Sequence, residues 1–110
     1  MSNMDAERIR MLNDELRKHL LGVGAVITPG IAALGAEAVK RLIQTIAVFD
    51  DFCTANDPHG EHDFGCFSFD GSEVIFKIDY YDKELKFHSP DPADPSVTER
   101  LITVMLSSEH

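Results

Sequence analysis

Between Asn56 and Asp63 the chain reads Asn-Asp-Pro-His-Gly-Glu-His-Asp, two imidazoles and three carboxylates in one short polar run. Imidazole nitrogen and carboxylate oxygen are the common ligands of divalent transition metals, which makes His59, His62 and Asp63 the candidate metal ligands. The spacing matches no zinc signature, and a complete site needs further ligands from Asp79, His88 or Asp91. A competing reading uses the same residues for architecture. Asn56 and Asp57 form Asx turns before Pro58, Gly60 takes a positive φ, and Glu61 and Asp63 bond to nearby backbone.

A second cluster follows in KIDYYD, where Lys77, Asp79 and Tyr81 alternate and so share one face of a strand. Brought against Glu61, His62 and Asp63, they would supply the acid and base groups of a small hydrolase, with Glu61, His62, Asp63, Lys77 and Asp79 as catalytic candidates. The alternative is a Lys77–Asp79 ion pair on the solvated side of a half-buried sheet. GxSxG is absent, and Gly22, Gly24, Gly30 and Gly35 follow neither GxxxxGK[ST] nor GxGxxG. No cofactor is therefore expected. Phe64, Phe67, Phe69, Phe76, Tyr80 and Phe87 read as core and cross-strand packing rather than as a stacking platform for bases, because no basic surface accompanies them.

These residues must be held by a small set of elements. Ile9, Leu12, Leu16 and Leu20 recur at helical spacing and predict an amphipathic helix over 3–20, closed at Gly22. GVGAVIT predicts a short strand at 23–27, and Thr28-Pro29 opens a helix over 29–52 along Ile31, Leu34, Ala38, Leu42, Ile46 and Phe49. After the polar loop, Asp70-Gly71 and Asp82-Lys83 divide residues 64–88 into three antiparallel strands, the last at 84–88. Val74, Phe76, Ile78 and Tyr80 form the core face of the middle strand. The prolines of SPDPADPS confine 89–95 to a tight connection. Ser96 and Glu99 match a capping box ahead of a last helix along Val97, Leu101, Val104 and Met105. The expected fold is a single α+β domain over 1–110, a three-stranded antiparallel sheet, with a fourth short strand, packed with three helices.

Bulk properties narrow the function. Nineteen acidic against ten basic side chains give a formal charge of -9, which repels phosphate and anionic lipid and excludes direct nucleic-acid binding and a membrane surface. The charged N-terminus is not a signal peptide and no apolar run spans a bilayer, which points to the cytoplasm. Cys53 and Cys66, outside any CxxC, read as two buried thiols.

Taken together, NDPHGEHDFG, KIDYYD and SPDPADP resemble a family of short uncharacterised proteins of proteobacteria, often carried on plasmids and other mobile elements. The resemblance covers nearly the whole chain, with Phe76 where members carry Trp and His110 where they end in an aromatic residue. It implies no activity. It implies that the three segments form one signature, and the mobile-element setting implies a role against host defences. The charge favours a non-enzymatic interaction module: Asp57, Glu61, Asp63, Asp79, Asp82, Asp91 and Asp94 would attract a protein with a basic surface, such as a nucleic-acid-binding protein blocked by acidic mimicry. A homodimer through the strand at 84–88 or the last helix is the remaining partner expectation.

Overall fold

The computed structural model describes residues 3–20 and 25–110. Helix α1 (Asn3–Lys18) leads to β1 (Val26–Ile27), a short α2 (Pro29–Ala32), α3 (Ala36–Ala47), β2 (Phe64–Phe69), β3 (Ser72–Tyr81), β4 (Glu99–Leu106) and a closing 3-10 turn (Ser107–Glu109). The fold is α+β. Its sheet is four-stranded and mixed, in the order β1-β4-β3-β2, with β1 parallel to β4 and the other pairs antiparallel.

The Asp70-Gly71 hairpin forms as its sequence predicts, both residues taking the positive φ of a type I′ turn (50° and 82°). It sets the register that pairs Phe69 with Ser72 and Gly65 with Phe76. A Cβ on Gly65 would run into the Phe76 ring, so glycine is what lets that ring lie flat across the neighbouring strand. Val74, Phe76, Ile78 and Tyr80 all face inward and are buried, joined by Ile102 and Val104 of β4 and by Ile9, Leu20, Ile31, Leu42 and Ile46 from the helical side. Phe49 packs on Phe52, Phe67 and Phe76 with ring centroids 4.9–5.5 Å apart.

Four expectations are corrected. The segment after Ser96 is the central strand β4 rather than a helix. Its apolar residues fit a helical stripe, but Ile102, Thr103 and Val104 are β-branched, and residues 101–106, all buried or half-buried, lack the clean alternation that betrays a strand in sequence. Ser96 serves the preceding turn, donating through its N–H and hydroxyl to Asp94 Oδ1 (2.9 and 2.7 Å). Residues 84–88 form a loop whose one ladder contact is the bridge from Tyr81 to His88. The helix expected over 29–52 breaks at Gly35, whose φ of 97° is outside the helical range, and ends at Ala47. Cys53 and Cys66 are free and exposed, not buried. Gly22 and the start of the strand expected at 23–27 lie outside the described residues; Val26 and Ile27 do form a strand, pairing with Thr103 and Val104. Among the described residues, no helix is long and apolar enough to cross a membrane.

Candidate functional site

The polar loop is built around one carboxylate. Asp57 Oδ1 accepts the backbone N–H groups of Glu61 (3.0 Å) and His62 (3.1 Å), and Asp57 N–H donates to Cys53 C=O (2.8 Å). Those bonds hold Gly60 and His62 at positive φ, 66° and 58°. Histidine tolerates the left-handed region better than most residues, but here it is further held by its ring. The imidazole stacks on Phe52 at 3.8 Å and 3°, with Nδ1 2.9 Å from Asp14 Oδ1 and Nε2 3.9 Å from Asp57 Oδ2.

Glu61 turns the other way, into the core. Its Oε1 accepts the Tyr80 hydroxyl (3.2 Å); that same hydroxyl accepts from Asn13 Nδ2 (2.7 Å), which also donates to Glu61 C=O (3.0 Å). Arg100 Nε donates to Asn13 Oδ1 (3.0 Å), and its guanidinium lies 5.2 Å from the Tyr80 ring centre and donates to Pro92 C=O. Asn13, Asp57, Glu61 and Tyr80 are all buried. Burial, with the Glu61 and Asp63 charges adding to it, pushes the Tyr80 hydroxyl far above the usual phenol range, and burial lowers Arg100. Both groups keep the protonation state their hydrogen bonds require at neutral pH.

Next to this network, Arg17 is 4% exposed and donates to Ile46 C=O (2.8 Å), Phe49 C=O (2.9 Å) and Asp14 Oδ1 (2.6 Å). Its Nε, the one buried side-chain polar atom without a hydrogen bond among the described residues, sits in a guanidinium 5.1 and 5.7 Å from the Phe52 and Phe76 ring centres. Burial works to raise the Asp14 carboxyl, but hydrogen bonds and charge from Arg17 and His62 outweigh it and hold the group below its ordinary value. Asn13 and Arg17 were absent from the sequence candidates. Their signal was position: both fall on the helical face defined by Ile9, Leu16 and Leu20.

The five residues considered for acid and base chemistry therefore separate. Glu61 and His62 are committed to the helix-covered side, whereas Lys77 pairs with Asp79 at 3.5 Å on the opposite face, both partly exposed. Asp63 stands between them. Its backbone C=O accepts Ile78 N–H (2.8 Å), and the residue borders a cleft of about 280 Å3 at the end of β3 with Ile78, Asp79, Tyr80, Tyr81 and His88. Burial raises its carboxyl, the charges of Glu61 and Asp57 add to that, and His59 offsets part of it. Among the described residues no group of three or more His, Cys, Asp or Glu is placed to hold a metal ion, so His59, His62 and Asp63 do not come together as a metal centre.

The remaining acidic candidates are in the segment 82–95. Asp82 Oδ1 accepts Glu84 N–H (3.2 Å) and Lys86 N–H (3.0 Å), Asp91 Oδ1 accepts Ala93 N–H (3.1 Å), and Asp94 accepts Ser96 as above. Ser89 and Thr98, both buried, share a hydroxyl hydrogen bond (2.7 Å) that closes the turn between them. Between the Asp82 bonds, Leu85 takes a φ of 59° and, with Phe87, projects into solvent at 58% and 73% exposure. No sequence signal separated Phe87 from the core phenylalanines.

Over residues 27–109 the chain matches the family model described as "Protein of unknown function (DUF3768)", and it belongs to that family. No curated protein and no solved structure matches it. The matched stretch takes in the Asp57–Asp63 loop and the segment 82–95, with α1 preceding it.

Proposed function

We propose that the chain is a non-enzymatic protein-interaction module that docks through the loop 82–88. The observation that carries this reading is the display of Leu85 and Phe87. Two large apolar side chains stand in solvent on a loop that its own hydrogen bonds hold rigid, with Leu85 in a conformation that costs about 1 kcal/mol or more for a branched residue. Exposed apolar anchors on a preorganised loop suit insertion into a partner's pocket. Asp79, Glu84 and Glu99 pair with Lys77, Lys86 and Lys83, while Asp82, Asp91 and Asp94 of the same part of the chain stand outside those pairs. The fitting partner is therefore a protein with an apolar pocket rimmed by Lys and Arg that competes for these carboxylates.

The specific version is an inhibitor of a nucleic-acid-binding or host-defence protein, its carboxylates standing in for backbone phosphates. The resemblance to mobile-element proteins and a cytoplasmic setting both suit that role. Asp57 and Glu61 take no part in it, being buried. A hydrolase using Glu61, His62, Asp63, Lys77 and Asp79 is disfavoured, since Glu61 is consumed by Tyr80 and the Lys77–Asp79 pair lies on the other face of the sheet.

The test is capture from a bacterial host lysate at low and high salt, comparing wild type with Leu85→Ala/Phe87→Ala and with Asp79→Asn/Glu84→Gln/Glu99→Gln. A stoichiometric partner should be lost with the first variant and bind about tenfold more weakly with the second or in high salt. Capture that is indifferent to salt and to both variants would refute the reading.

A further inference from the structure

β2 is an edge strand, and it carries none of the devices that keep an edge from pairing. FGCFSF has no charge, no proline and no bulge, whereas β3 and β4 both carry charged residues. The type I′ turn makes Phe69 and Ser72 a hydrogen-bonded pair, so the backbone groups of Phe67, Gly65 and Asp63 point to β3. The 2.8 Å bond from Ile78 N–H to Asp63 C=O agrees with that phase. The N–H and C=O groups of Phe64, Cys66 and Ser68 therefore point away from the sheet, and Cys66 and Ser68 are exposed.

We infer that this edge pairs antiparallel with β2 of a second copy about a twofold axis through Cys66, extending the sheet across both chains. Charge complementarity selects a second copy as the occupant. In this register Phe64 faces Ser68 of the other copy and Asp63 faces its Phe69, with side chains on the helix side. Arg41 already lies over the Phe69 ring at 5.2 Å, half-exposed and bonded to Asp70 at 2.8 Å. Asp63, half-buried beside Glu61 and Asp57, has no Lys or Arg ion pair within its own chain among the described residues. Pairing brings the Arg41 guanidinium of each copy to the Asp63 carboxylate of the other, twice per dimer. Other pairings of a neutral strand would leave both groups as they are.

The inference is independent of the docking loop and responds to salt in the opposite sense. Two chains of charge -9 repel, so screening strengthens the dimer, whereas it weakens capture of a basic protein. Sedimentation equilibrium over a concentration series in low and high salt should show monomer and dimer, with more dimer in high salt. Arg41→Asp and Asp63→Arg should each weaken the dimer about tenfold, and the double exchange should restore it. Ser68→Pro should abolish it while leaving the far-ultraviolet circular dichroism unchanged, because that N–H faces away from β3. In a Cys53→Ser background a short bis-maleimide should join Cys66 to Cys66, whose Cα atoms would stand about 5.5 Å apart. A monomer at every concentration, or a dimer that ignores both the charge exchange and Ser68→Pro, overturns the inference. Leu85→Ala/Phe87→Ala should leave the dimer intact.

Discussion

The loops 57–62 and 82–87 use the same local device to opposite ends. Each begins with an aspartate whose Oδ1 accepts two backbone N–H groups further along, Glu61 and His62 for Asp57, Glu84 and Lys86 for Asp82. Each holds a non-glycine residue at left-handed φ, His62 at 58° and Leu85 at 59°. The first loop folds under α1, where Arg10, Asn13 and Asp14 take up its polar atoms. The hydrogen bonds and ion pairs of the second run within the loop and to Glu99 of β4, and its apolar side chains turn outward. Local backbone chemistry writes the turn; what packs against it decides whether it contributes stability or recognition.

That contrast breaks most visibly at Asn13. Removing an amide that serves Glu61 C=O, Tyr80 and Arg100 strands several buried polar groups, so Asn13→Ala should destabilise by roughly 2–4 kcal/mol, read as a lower urea midpoint at unchanged m-value. The paired aspartates come next. Asp57→Ala exposes two N–H groups in a buried setting and should cost roughly 2 kcal/mol, whereas Asp82→Ala, whose N–H groups reach water once released, should cost under about 1 kcal/mol. Equal losses would mean that burial under α1 is not what distinguishes the loops.

How much of this was legible in the sequence follows the range of the forces involved. Asp70-Gly71 was readable because a type I′ turn needs two positive φ angles and few residue pairs supply them. The inward set Val74, Phe76, Ile78 and Tyr80 was readable because alternation is local to the strand. β4 was not: residues 101–106 are buried or half-buried on both faces, and ERLITVML satisfies both periods. The EHD segment was recognised as special, but its carboxylates were read as exposed. Which of them is buried depends on Asn13 and Tyr80, 48 residues before the loop's Glu61 and 19 after it, a pairing only the folded chain creates. Asp82, Asp91 and Asp94 were recognised as acidic yet not as the acceptors that shape the turns they occupy.

Acidification sharpens the comparison further. The Asp14 carboxyl is held below its ordinary value in the folded chain, so its contribution is fully present above the unfolded pKa, about 3.9, and is lost as pH falls through the lower folded value. Asp14→Asn should therefore be less stable than wild type at neutral pH, with the difference closing as the medium falls below about pH 4. Thermal unfolding across that range is the check, and a difference constant with pH would show that Arg17 and His62 hold the side chain by geometry rather than by its charge. No such crossover is expected for Leu85→Ala/Phe87→Ala.

The smallest effect is the one that separates the two left-handed residues by sign. Glycine accepts φ near 60° without the Cβ clash, so Leu85→Gly removes strain at a residue whose side chain is mostly exposed, at the cost of a freer unfolded chain. A gain of a few tenths of a kcal/mol is expected, together with loss of partner capture. His62→Gly relieves the same backbone strain but forfeits the Phe52 stack and the Asp14 bond, and should lower stability. Chemical denaturation of the two variants beside wild type measures both. If Leu85→Gly destabilised the chain as His62→Gly does, Leu85 would be a packing residue and its strain would need no partner to explain it.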